Sequence, residues 1–231
     1  MTSTPPLQQA ARRITLVLFC AQGLGSAGFI ASATIASIVG AELSGRTALA
    51  GLPSATFLVG AALSALVWGV LMDAWGRRAS LGTGLGLGVV GGVLASVAVV
   101  RGEFLLLLAG LSLMGAAHAA LQLGRFVTAE VNPPAKRGRA VGNVVIGGTV
   151  GAVAGPLMVG PVGRWAESAG LPELAGPYLA SLAMFALAAL VIGLASAAGS
   201  LGSGVVFAAV GFGAMSAFGA ALSFVPLLLG L

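Results

Sequence analysis

His118, Gln122 and Arg125 stand at i, i+4 and i+7 in an otherwise apolar stretch, the spacing that lines side chains along one face of an α-helix. An imidazole beside an amide can bind the polar edge of a solute or take up a proton. The plainer alternative is a neutral histidine bonded to a neighbouring helix. Gln22 offers a second amide in an apolar run nearer the amino terminus, suited to lining a cavity or to an interhelical hydrogen bond, and Asn143 a weaker one. Asp73 lies just before Arg77 and Arg78, where a carboxylate can accept charge-assisted hydrogen bonds from an arginine or a helix N-terminus; a gating or conformational role is expected of it, with simple loop capping as the alternative.

Other chemistries are missing from the same inventory. Cys20 is the only cysteine, so no intrachain disulfide is expected, and it reads as a small packing residue. No Cys, His and acidic residues share metal-ligand spacing, and no serine nucleophile motif or paired carboxylates occur within the apolar runs. Neither enzyme activity nor a cofactor is expected. Gly86, Gly88 and Gly91 match G-x-G-x-x-G, but no strand precedes them and no acid follows at dinucleotide-binding distance. Gly84, Gly88 and Gly92 instead make the small-xxx-small spacing of packed membrane helices. The only lysine, Lys136, lies between apolar runs, so a retinal Schiff base within the membrane is excluded.

The elements that carry these residues follow from composition. Of 231 residues, 58% are hydrophobic and 7% charged, against about 25% charged in soluble domains. So few charges cannot cover a water-facing surface, and the solvent for most of this chain must be lipid. The net charge of +5 is spread between apolar runs with no basic stripe, which argues against nucleic acid. About 20 apolar residues cross a bilayer as a helix. Breaks at charged and proline-containing segments predict spans over 14–38, 48–71, 80–100, 104–124, 140–162 and 175–196, with a seventh over 204–229 after a turn-like stretch at 195–204. The first run is too long for the h-region of a signal peptide, despite Arg12-Arg13 before it. Continuous runs rather than alternating ones exclude a barrel. With the amino terminus inside, Arg12, Arg13, Arg77, Arg78, Arg125, Lys136, Arg137 and Arg139 fall on the cytoplasmic side, and Arg46, Arg101 and Arg164 outside. That bias predicts a multi-pass protein of the cell membrane with a cytoplasmic N-terminus.

Two motifs go further. Gly69-Val70-Leu71-Met72-Asp73-Ala74-Trp75-Gly76-Arg77-Arg78 resembles the G-x-x-x-D-x-x-G-R-R/K loop signature of the major facilitator superfamily. Gly69 would permit close helix approach and Gly76 the positive φ of a tight turn. In span five, Gly142, Gly151, Gly155-Pro156 and Gly160 resemble that superfamily's G-x8-G-x3-G-P-x2-G-G antiporter motif, with Val159 in place of one glycine. The resemblance covers about residues 12–197. It implies an all-α bundle of three plus three helices in inverted repeat, with a seventh helix partly independent. The domains would be a cytoplasmic tail at 1–13, a six-helix bundle at 14–197, and an uncharged segment at 198–231 that is a seventh helix or the start of a second half.

It also implies a function: secondary transport of a small organic solute across the bilayer by alternating access, the second motif suggesting efflux antiport. In that fold helices one and four line the central cavity, which makes Gln22, His118 and Gln122 its candidate residues. Their weak polarity, with Ser26, favours an apolar or amphiphilic cargo. Rocking requires two bundles, so a homodimer or a separate second half is the expected partner. The rival reading is a truncated fragment or membrane scaffold without transport. The chain departs from the family pattern at Leu111, where an arginine four residues before a glycine is usual.

Overall fold

The structure is a computed structural model that describes the backbone of residues 5–210 and the side chains of residues 9–197. It divides into two units, residues 1–193 and 194–231, and the description below concerns the first. The described backbone is helical and contains no strand. The long helices are α1 (Pro5–Ser44), α2 (Leu52–Ala74), α3 (Arg77–Arg101), α4 (Phe104–Val131), α5 (Arg137–Ser168) and α6 (Gly176–Val210). Short 3-10 turns at Thr47–Leu49, Pro134–Lys136 and Glu173–Ala175 lead into α2, α5 and α6.

Among the described residues, six helices are long and apolar enough to cross a membrane. Predicted spans one, three, four and five each fall within one of them, while spans two and six begin in the 3-10 turns that lead into α2 and α6. The helices overrun the predictions because a helix need not stop where hydrocarbon does. The turn expected at 195–204 is not seen: the backbone there is helical as part of α6. That stretch holds no proline and no charge, so its glycines and serines weaken the helix without ending it. The rest of the predicted seventh span lies outside the described residues.

The principal helix pairs are α1 with α5, α2 with α4, α3 with α4, and α1 with α4. α6 packs on α1, where Ser181 Oγ donates to the Gly28 carbonyl at 2.5 Å and lies 2.5 Å from Ser32 Oγ. Exchanging helix one with four, two with five and three with six maps these pairings onto themselves. That is the signature of a repeated triplet. Three crossings per triplet start the second on the opposite side of the membrane, so the repeat is inverted.

Small residues bring the helices together. In α3, a Cβ added at Gly88 would come within 2.8 Å of Ala117, and one at Gly92 within 2.9 Å of the Leu182 backbone, so the small-xxx-small stripe faces α4 and α6. In α5, a Cβ at Gly151 would fall on the carbonyl oxygen of Gly23, so α1 and α5 touch backbone to backbone there. Without a hydrophobic force between helices in lipid, such close contacts and interhelical hydrogen bonds supply the cohesion. Trp68 shows one: its indole Nε1 donates to the Ala116 carbonyl at 2.8 Å. The central core gathers Leu85, Leu107, Met114, Leu121, Tyr178 and Phe185. Tyr178 is fully buried, and its hydroxyl has no partner among the described residues. Outward, Leu58, Leu63, Leu66, Val67 and Val70 of α2 and Val150, Val153 and Leu157 of α5 are more than half exposed. Such a surface is stable only against lipid or another apolar partner.

Candidate functional site

Gln22, Ser26, His118 and Gln122 meet between α1 and α4. Gln22, Ser26 and Phe29 share a face of α1 at i, i+4 and i+7, as His118, Gln122 and Arg125 do on α4. Successive membrane crossings make the two helices antiparallel, so the start of one set meets the end of the other. Gln22 Nε2 donates to Gln122 Oε1 and to Ser26 Oγ, each at 3.4 Å. Gln122 Nε2 lies 3.0 Å from His118 Nε2. The helix spacing is what allows the chain: i and i+4 side chains on α4 reach each other, and Gln22 crosses the gap.

The amide nitrogen of Gln122 can only donate, so His118 Nε2 must accept, and a neutral imidazole then carries its proton on Nδ1. That Nδ1 has no hydrogen-bond partner among the described residues, and neither has Gln22 Oε1. Gln22 is only 2% exposed. A buried polar atom left dry and unpaired costs about 1–3 kcal/mol. The two ends of the chain are therefore the reactive part of the site, one an acceptor and the other a donor.

An aromatic cluster adjoins the histidine. Phe29 and Phe57 stack with centroids 4.4 Å apart and planes 18° apart. The His118 ring lies 4.6 Å from Phe29 and 5.9 Å from Phe57. The two phenylalanines also wall an open, largely apolar pocket of about 130 Å³ between α1 and α2, lined further by Ala33, Ala36, Pro53 and Leu111. Neither phenylalanine stood out in the sequence. Phe29 was detectable from its helical register with Gln22, whereas Phe57 lies on another helix and gives no local signal. Leu111, at the position where the family motif usually has arginine, is buried and apolar. Arg125 is half-buried with its Nε unpartnered, and no ion pair to it occurs among the described residues.

The loop motif sits at the opposite end of α2 from that pocket. Gly76 has φ +83°, so it supplies the turn into α3. Arg77 pairs with Glu130 near the end of α4, Nη2 to Oε1 2.7 Å. Asp73 is exposed and makes no hydrogen bond or ion pair with the described residues, and Arg78 is exposed beside it. Gly69 does not provide the close approach expected of it: a Cβ there would meet nothing within 4 Å, because Trp68 takes the buried face and turns Gly69 outward. Asn132, unremarked in the sequence, donates through Nδ2 to Thr15 Oγ1 at 3.1 Å and to the Thr128 carbonyl at 2.9 Å, joining α4 to α1.

The helix-five motif divides in two. Gly151 and Gly155 are buried against α1, and a Cβ at Gly155 would stand 2.8 Å from the Ala27 carbonyl oxygen. Pro156 lies inside α5, which stays helical through it. Gly142 meets nothing within 4 Å, and Gly160 only the Arg164 guanidinium at 3.6 Å. Asn143 is exposed, away from the polar chain. Among the described residues no group of His, Cys, Asp and Glu could hold a metal ion.

Comparison with known proteins agrees with this architecture. The Major Facilitator Superfamily model matches residues 15–167. Two Bacillus subtilis proteins described as uncharacterized MFS-type transporters are similar to the chain: YdeG, 35% identical over 191 residues, and YddS, 32% over 190. Each match covers 82% of this chain and 44% of the relative, so the chain spans about half the length of these relatives. The riboflavin transporter RfnT of Brucella anthropi is 32% identical over 150 residues, 65% of this chain and 38% of that protein. No solved structure matches. With two thirds of its length matched by the family and its helices paired as a repeated triplet, the chain belongs to the major facilitator superfamily of membrane transporters.

Proposed function

We propose that the chain forms the solute-binding bundle of a secondary transporter that carries a small organic molecule by alternating access. The observation that carries this reading is the Gln22–Gln122–His118 chain: a hydrogen-bonded polar line between two membrane-length helices, whose ends have no partner among the described residues. A polar line kept at that depth is costly unless something uses it. Its neutrality and the adjoining phenylalanines favour an apolar or amphiphilic solute over a sugar or a simple anion. One relative's name specifies riboflavin, a small organic solute of that kind.

Alternating access rocks one bundle against another about a midplane site. A second bundle, from a second copy or from further polypeptide, is part of the proposal. The greater length of the relatives and the exposed apolar faces of α2 and α5 support it. The arginine bias places the amino terminus and the loops at 75–76 and 132–136 in the cytoplasm of a cell-membrane protein. Glycines of α5 held against α1 give a smooth contact along which the bundle can adjust. Antiport with protons is the coupling suggested by the helix-five motif, with His118 as the titratable group within the site.

The test is transport by the purified chain in liposomes against a panel of organic solutes, riboflavin included, with and without a pH gradient. Solute-specific flux that depends on the gradient is expected. Flux of none of them, by the chain alone or with a second bundle supplied, would leave the scaffold reading in its place.

A further inference from the structure

We propose that the solute held between α1 and α4 is a flat, uncharged heteroaromatic ring system whose edge carries both an N–H donor and a carbonyl or ring-nitrogen acceptor. This rests on the transport reading above and names the class of cargo for the same site.

The direction of the hydrogen-bond chain carries the argument. Gln22 donates to Gln122, and Gln122 donates to His118, so each internal link has a fixed sense. What remains is an acceptor at one end, Gln22 Oε1, and a donor at the other, His118 Nδ1–H. Both atoms are buried and without partners among the described residues. A carboxylate presents only acceptors and would leave Gln22 Oε1 unanswered. An ammonium presents only donors and would leave His118 Nδ1–H unanswered. A ring edge with N–H and C=O groups answers both.

The surroundings select the rest of the molecule. The Phe29–Phe57 stack and the tilted His118 ring put aromatic surface beside the polar line, where flat rings gain from offset or edge-on contact. The pocket of about 130 Å³ walled by the same two phenylalanines approaches the size of apolar cavity that accepts a benzene-sized ring. Both features favour a ring over a flexible chain. The nearby cation, Arg125, lies seven residues from His118, about 10 Å along the helix. It is the one group here that would favour an anionic cargo, and the test is built to detect that.

The experiment measures binding to the full chain in lipid nanodiscs, with empty nanodiscs as the partition control. The probes are lumichrome, a fluorescent alloxazine whose edge alternates N–H and C=O groups, its 1,3-dimethyl derivative, which lacks the donors, and naphthalene-2-carboxylate. Lumichrome is expected to bind, and methylation to weaken it about tenfold, the effect of one buried hydrogen bond. Gln22→Leu and His118→Leu should each weaken lumichrome by a similar factor. His118→Asn, whose amide N–H stands near the Nδ1 position, should retain most of the binding. Should the leucine variants not insert, the comparison of lumichrome with its methylated form needs no variant. Equal binding of the methylated probe overturns the proposal, and so does preferential, Arg125-dependent binding of the carboxylate. Liposomes that carry some other solute while lumichrome fails to bind would overturn the cargo class and leave transport standing. Lumichrome bound in the stated pattern, with no flux of any solute, would uphold the site and sink the transport reading.

Discussion

Arg77 at the start of α3 and Glu130 near the end of α4 meet in an ion pair of 2.7 Å, which ties the loop after α2 to the end of α4. Both side chains are partly exposed, so the pair contributes at most about 1 kcal/mol to stability. Its value lies in fixing the loop. Glu130→Gln is therefore expected to leave the thermal unfolding midpoint in detergent almost unchanged while lowering transport. The charge-exchanged double variant, Arg77→Glu with Glu130→Arg, should recover part of the rate. Full activity in the single variant would show that the pair is incidental.

Asp73 is the counterpart to this pair, a carboxylate in the same loop with no partner among the described residues. Asp73→Asn removes its charge without disturbing a contact. Insertion and unfolding should match the parent within about 0.5 kcal/mol, as for other surface substitutions. Uptake or efflux in liposomes should fall. An unchanged rate would count against a gating role.

The two ends of the helix-five motif make opposite predictions. At Gly151 a Cβ would collide with the Gly23 carbonyl, so Gly151→Ala should destabilise the bundle by about 1–3 kcal/mol through overpacking. At Gly142 a Cβ meets nothing, and Gly142→Ala should be neutral or add about 0.5–1 kcal/mol of helix stability. Unfolding midpoints of the two variants in one detergent check both. Equal midpoints would mean that α1 and α5 are not in backbone contact.

Tyr178→Phe tests a buried hydroxyl rather than a contact. The ring fills the core, and the oxygen has no partner among the described residues. Removing an unsatisfied hydroxyl relieves about 1 kcal/mol of desolvation cost, so the variant should be as stable as the parent or more so. A clear loss of stability would reveal a partner for that oxygen, a bridging water for instance.

Much of the site was legible because it is local. The register of His118 with Gln122 is a property of one helix, and their hydrogen bond follows from it. Gly76 was recognisable as a turn because a tight reversal needs positive φ and glycine accepts it. Gly69 went the other way. Its motif position suggested helix packing, but the rotation of α2 was set by Trp68, whose indole seeks the Ala116 carbonyl on α4. The turn expected at 195–204 failed for a related reason. Glycine and serine lower helix propensity, but without a proline in the stretch the helix continues through it.

The amino-acid order by itself determined the lipid environment, the six crossings and the family resemblance, because these depend on hydrophobic run length and on motifs within single segments. Only the tertiary structure decided that Gln22 meets Gln122, that Phe57 joins Phe29 beside His118, and that Arg77 pairs with Glu130 rather than Asp73. Each of those relationships joins different helices. Their geometry depends on how the helices rotate and slide against one another, and that is set by small-residue contacts summed over the whole bundle, which no single segment encodes.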